Sequence, residues 1–140
     1  MNWRSCTEEG YIRKDVHAPE RIPVSLTAAA RFGQAAHKTM AIDEYEMATL
    51  AAYNSVFHSA RALLFSQGYI EHSHACVVIA LRHLFREDAQ VLSLLSTLDK
   101  MRVSRHNVQY GGTRVTREEA EFACRFATEF LENVKQRIAP

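Results

Sequence analysis

The stretch 51-AAYNSVFHSARALLFSQGY-69 decides the fold. It holds no proline, and its one glycine stands next to its end. Ala51, Tyr53, Val56, Phe57, Ala60, Leu63 and Leu64 recur at three- and four-residue steps, and Met47 and Leu50 extend the series upstream. Apolar side chains therefore cover much of the circumference, which places such a helix at the centre of a bundle. The spacing predicts a helix over residues 44–67. Asp43 is the expected N-cap after the break at Ile42, and Gly68 the expected C-terminal stop.

Working outward, residues 24–39 form an alanine-rich helix. Leu26, Ala29, Ala30, Gly33 and Ala36 lie on one face, and small residues there let a neighbouring helix approach closely. Downstream, residues 73–86 carry Val77, Ala80, Leu81 and Leu84 on one side. Asp88 is placed to cap the next helix, whose stripe is Val91, Leu94, Leu95 and Leu98, and the pair Gly111-Gly112 ends it. Thr116 and Glu119 make a capping-box signature for a last helix over about 117–137, with Ala120, Ala123, Ala127, Phe130, Leu131 and Val134 inward. Residues 3–9 suit a short first helix stopped by Gly10, and Pro19 and Pro23 delimit a linker. No stretch alternates apolar and polar residues for long enough to indicate a strand. The expectation is all-α: a single domain, 1–140, built as an antiparallel four- to five-helix up-and-down bundle over 24–138, with 1–23 as a short helix and linker.

Composition narrows the functional classes. The chain of 140 residues suits one domain with its own core. Seventeen basic against sixteen acidic residues leave a formal charge of +1, so no global basic field draws it to nucleic acid or an anionic membrane. Cys6, Cys76 and Cys124 are far apart, odd in number and form no CxxC. The expectation is that no disulfide framework forms, that Cys76 and Cys124 are inert buried thiols, and that the compartment is the reducing cytoplasm. The run Ala75–Leu81 is far shorter than the roughly 20 residues of a membrane span, and the first ten residues lack a signal-peptide core.

The functional lead is 102-RVSRHNVQYGG-112. With about 100° per residue and Arg102 at zero, Val91, Leu95 and Leu98 fall within about 40°, and so do His106 and Gln109. Arg105 lies about 60° to one side and Tyr110 about 80° to the other. The leucine face thus turns polar before the helix stops. One account is a helix end leaving the core, where cations suit the dipole. The other is a polar cleft. Arg102 and Arg105 could hold a phosphate, and His106 could exchange a proton near neutrality. Tyr110 would stand beside them. Arg, His and Tyr are the residue types an RNA-cleaving site uses, with cations stabilising charge that builds on phosphorus.

Other polar residues have ordinary accounts. His58 fits a hydrogen-bonded core histidine, though Arg61 three residues on could share a cleft with it. Tyr53 fits packing with its hydroxyl at a rim. Glu71-x-x-His74 matches an inward di-iron ligand pair, but it occurs once where two copies are needed, so neither metal nor cofactor is expected. Arg82, His83 and Arg86 suit a solvated helix end as well as an anion-binding surface.

At this point the residues resemble those of HEPN domains, small helical bundles named for higher eukaryotes and prokaryotes nucleotide binding. Tyr53, Phe57, His58, Ala60, Ala62, Leu63, Leu64, Gly68 and His74 fit the pattern of the second helix and the opening of the third. Arg105, Asn107, Tyr110 and Gly111 fit the fourth-helix pattern of small stand-alone members. The final helix, and Trp3, Cys6, Gly10, Ile12, Arg13 and Lys14 at the start, are similar to prokaryotic members. The resemblance implies a homodimer with a cleft at its interface and a nucleotide or RNA as ligand. It also implies a nucleotidyltransferase antitoxin as a partner in a toxin–antitoxin or defence-like pair. Arg102, Arg105, Asn107, His58 and Arg61 would contact the ligand. In nuclease members, which act without metal, Arg102, Arg105, His106 and Tyr110 would be catalytic. The chain departs from their R-x4-6-H pattern, since only three residues separate Arg102 from His106 and no histidine follows Arg105 at that spacing.

Overall fold

The computed structural model describes residues 1–139. In chain order the elements are α1 (Trp3–Glu8), β1 (Ile12–Lys14), a 3-10 turn (Ala18–Arg21), α2 (Ile22–Ala41), α3 (Tyr45–Ser66), β2 (Tyr69–Glu71), α4 (His74–Leu84), α5 (Ala89–Gly111) and α6 (Arg117–Ile138). The architecture is an all-α bundle. Helix α3 is its axis and packs against α2, α4, α5 and α6. Thirteen of its residues are buried, which is the all-round apolar pattern of the opening stretch made physical. Only its start departs from that pattern, where Met47 is exposed.

Local chemistry sets the helix ends. The side chains of Asn2, Ser73, Asp88 and Thr116 accept hydrogen bonds from the first-turn amides of α1, α4, α5 and α6. Each satisfies a backbone donor that a helix start leaves free. Gly68 and Gly112 take positive φ, +85° and +66°, and end α3 and α5. Asp43 does not cap α3. It sits at φ +60° and its carboxylate accepts from the Tyr45 hydroxyl at 3.1 Å, while Glu44 occupies the cap position without a side-chain bond. A short polar side chain tolerates that left-handed turn. Pro23 lies in the first turn of α2 rather than ahead of it, where its missing N–H costs nothing.

The seam between α2 and α3 follows from the small-residue face. Ala29 and Ala36 are fully buried. The Ser55 hydroxyl donates to the Ala29 carbonyl at 2.7 Å, and the Ser25 hydroxyl to the His58 carbonyl at 2.7 Å. A Cβ on Gly33 would stand 3.4 Å from Ser55 Oγ. Backbones this close leave no room for larger side chains.

Two expectations are corrected in the N-terminal segment. It is not only a linker, because β1 pairs antiparallel with β2, Ile12 opposite Glu71 and Lys14 opposite Tyr69. Three residues per strand are too few to show alternation. The expectation of no disulfide also fails: Cys6 and Cys76, 70 residues apart in sequence, are joined, with their Cα atoms 5.9 Å apart. Spacing along the chain carried no sign of this, because α1 meets α4 only after folding. Cys124 is free and buried as expected, and burial raises its thiol pKa. Among the described residues no helix is long and apolar enough to cross a membrane.

Candidate functional site

Three helices bring a polar cluster together. Tyr53 projects from α3 and is almost fully buried. Its hydroxyl lies 3.2 Å from Nδ1 of His74, the first residue of α4. The His74 ring stacks on Phe57, one turn along α3 from Tyr53, with centroids 3.8 Å apart. From α5, the Arg105 guanidinium lies over the Tyr53 ring, its Cζ 5.0 Å from the centroid. The quadrupole of the ring attracts that cation. Arg105 Nη1 donates to Gln109 Oε1 at 3.0 Å, while its Nε is buried without a partner among the described residues.

The titrations follow from these surroundings. Burial raises the Tyr53 phenol pKa, against the pull of Arg105 in the other direction. Burial lowers the His74 pKa, Arg105 lowers it further, and Glu71 opposes both. An imidazole whose pKa is held below its ordinary value is neutral at pH 7 and free to accept a proton.

The polar end of α5 divides. Val91, Leu95, Leu98 and Met101 are the buried residues of α5 and set the inward direction. Arg105 and Arg102 each lie within about 40° of it, on opposite sides, and His106 about 75° away. Centring on Arg102 places His106 within about 40° of the leucines, whereas the buried set, which includes Met101, is centred between Arg102 and Arg105. Arg105 therefore turns in. Arg102 is half-buried and its Nε donates to Asp99 Oδ1 at 3.0 Å. His106, Asn107 and Tyr110 are exposed, and the His106 and Tyr110 rings lie 5.0 Å apart on the outer surface.

His58 and Arg61 stand at a neighbouring edge. Together with Ser25 and Phe65 they line a cavity of about 300 Å³. His58 stacks on Phe32 with centroids 5.5 Å apart, and its Nδ1 is buried without a partner among the described residues. Burial, then Arg61, lowers its pKa. Arg61 Nε donates to Glu71 Oε1 at 2.7 Å, and its guanidinium lies 5.2 Å from the Phe65 ring centroid. Phe57 bridges the two areas, touching both the His58 and the His74 rings. The Glu71-x-x-His74 pair is thereby divided, Glu71 to Arg61 and His74 to Tyr53. Among the described residues no three His, Cys, Asp or Glu group as metal ligands.

A larger cavity of about 460 Å³ lies elsewhere, between α5 and α6. Met101, Val115 and Phe122 line it, with the buried Thr49 hydroxyl beside them, without a partner among the described residues. It shares no residue with the arginine cluster.

Reading the residues singly missed Tyr53 and His74 as members of the cluster. The signal lay in Tyr53 and Phe57, four residues apart and so on one helix face, ahead of a histidine that opens the next helix. Taken together, the fold and cluster define a small helical module with a cation, a phenol and an imidazole gathered where three helices meet. Residues 23–137 match the HEPN domain, and the chain belongs to the HEPN domain family. No curated protein matches it.

Proposed function

We propose that this HEPN domain binds a nucleotide or RNA as a non-catalytic module. In this reading it forms a homodimer in the cytoplasm and is one half of a toxin–antitoxin or defence-like pair with a nucleotidyltransferase. The observation that carries the reading is Arg105. Its guanidinium is held over Tyr53, so a phosphate oxygen reaching that guanidinium would meet a cation already in place. Arg102, one turn earlier and tied only to Asp99, would supply the second cation. Binding without cleavage is favoured because His106 stands apart from Arg105 and the R-x4-6-H spacing is unmatched.

The alternative is a metal-independent endoribonuclease. His74 favours it, as a neutral imidazole on the Tyr53 hydroxyl beside Arg105, suited to take a 2′-hydroxyl proton. One experiment separates the readings. The pure protein is incubated with mixed RNA and a chelator, beside Arg105→Ala, His74→Gln and His106→Ala. Binding that needs Arg105, with the RNA intact, supports the module. Cleavage lost in Arg105→Ala and in either histidine variant establishes the nuclease. Absence of both binding and cleavage rejects each reading.

A further inference from the structure

We propose that Cys6 and Cys76 are a reversible dithiol–disulfide site that sets the position of His74, taking glutathione or a similar small thiol as its redox partner. Cys76 follows His74 by two residues in the first turn of α4, and Cys6 lies in α1, outside the residues matched to the family. His74 is therefore bracketed. Three residues before it, Glu71 is held by Arg61 at 2.7 Å; two residues after it, Cys76 is held by Cys6. With both ends fixed, the short turn between them has little freedom, and His74 stays on Tyr53 and Phe57. Opening the disulfide removes the covalent tie at one end and leaves it held by the Ser73 cap on the Cys76 amide and by the packing of α4.

Little else secures α1. It has six residues, too few to be stable alone. The Trp3 ring stacks on His83 with centroids 4.3 Å apart and meets Tyr69 edge-on at 5.4 Å. Behind it, β1 and β2 share three residue pairs. Both sulfurs are buried, so exchange requires α1 to lift, and Cys76 then stands exposed at the positive end of α4, where the thiolate is favoured. Cys124 is buried on α6 and takes no part. The exchange balances as two glutathione thiols giving two electrons and two protons to the disulfide, which leaves two protein thiols and oxidised glutathione. The reverse reaction uses oxidised glutathione alone.

His74 reports the change. The charged and titratable groups around it are Arg105 and Arg102 from α5, Tyr53, His58 and Arg61 from α3, and Glu71 from β2. The effect on His74 stands whatever the domain binds; only a consequence for phosphate binding rests on the function proposed above.

The test equilibrates the whole chain across a glutathione redox series. Thiols are alkylated under denaturing conditions and counted by mass. The His74 imidazole, assigned with His74→Gln, is titrated by NMR while circular dichroism follows helix content. The expected result is one free thiol when oxidised and three when reduced. On reduction the His74 titration moves up toward the ordinary imidazole range with helix content retained, and oxidised glutathione restores it. Cys6→Ser should match the reduced protein and ignore glutathione; Cys124→Ser should respond like the native chain. Three free thiols throughout, one free thiol throughout, an unmoved His74 titration, or loss of helix on reduction would each overturn the proposal. RNA binding that ignores redox state while His74 shifts would count against the phosphate role alone.

Discussion

The Tyr53 hydroxyl and His74 Nδ1 lie 3.2 Å apart, across the junction of α3 and α4. This contact joins an almost fully buried aromatic residue of the central helix to an exposed histidine. Tyr53→Phe keeps the ring under Arg105 and removes only the hydroxyl. It should cost about 1 kcal/mol, the worth of an ordinary hydrogen bond, and should change the His74 tautomer signal in NMR. A His74 spectrum identical to the native one would show that the contact is absent in solution.

Stability should fall on mild acidification. Burial holds the folded pKa values of both His74 and His58 below the ordinary imidazole value of about 6.5. The unfolded chain therefore binds more protons as the pH drops through 6.5, and the free energy of unfolding decreases with it. The stability these groups contribute is fully present above 6.5 and is lost as the pH falls toward their folded values. Urea unfolding between pH 7.5 and 5 checks this. The double variant His58→Gln, His74→Gln should flatten the profile, and an equal slope in both proteins would rule the histidines out.

Arginine chemistry separates the two halves of the α5 terminus. Arg105→Lys keeps the charge but loses the planar group that lies on Tyr53, so it should not restore phosphate or RNA binding. Arg102→Ala should weaken binding and reduce its salt dependence by about one charge. His106→Ala should leave binding within about twofold, because a factor of two is only ~0.4 kcal/mol and the side chain points away from Arg105. A larger loss would place His106 in the site, supplied across a dimer interface.

Glu71→Gln should destabilise the domain. The pair with Arg61 is partly buried, with 28% and 10% of the two side chains exposed, so the change should cost about 1–3 kcal/mol, less than a fully buried pair. Arg61→Met, which refills the volume with an apolar chain, should cost more because it leaves the Glu71 carboxylate unpaired. Chemical denaturation of both variants gives the order directly.

Packing at Gly33 offers a test of the fold alone. A valine there would need space now held by Ser55 Oγ, 3.4 Å from the first added carbon. Gly33→Val should push α2 from α3 and cost roughly 1–3 kcal/mol by overpacking. An unchanged melting temperature would mean that the seam is looser than described.

Much of the helical layout was legible because it is local. The all-round apolar run of α3, the caps at Asp88 and Thr116 and the stops at Gly68 and Gly112 depend on residues within a turn of each other. Asp43 failed as a cap because it sits in a left-handed turn one residue ahead of the cap position, with its carboxylate on the Tyr45 hydroxyl. On α5 the sequence placed Arg105 and His106 in one cleft. Burial of Met101 beside the leucines turns the face toward Arg105 and leaves His106 exposed.

What the sequence determined by itself was the class of the protein: a helical bundle of the HEPN kind, with α3 at its centre and cations at the end of α5. Periodicity and caps act over a few residues and can be read along the chain. The tertiary structure alone decided which polar groups meet. Tyr53, His74 and Arg105 come from three helices, and Cys6 and Cys76 are 70 residues apart. Such contacts arise only when separate hydrophobic faces bury against one another and carry their polar neighbours along, so no spacing within a single helix reveals them.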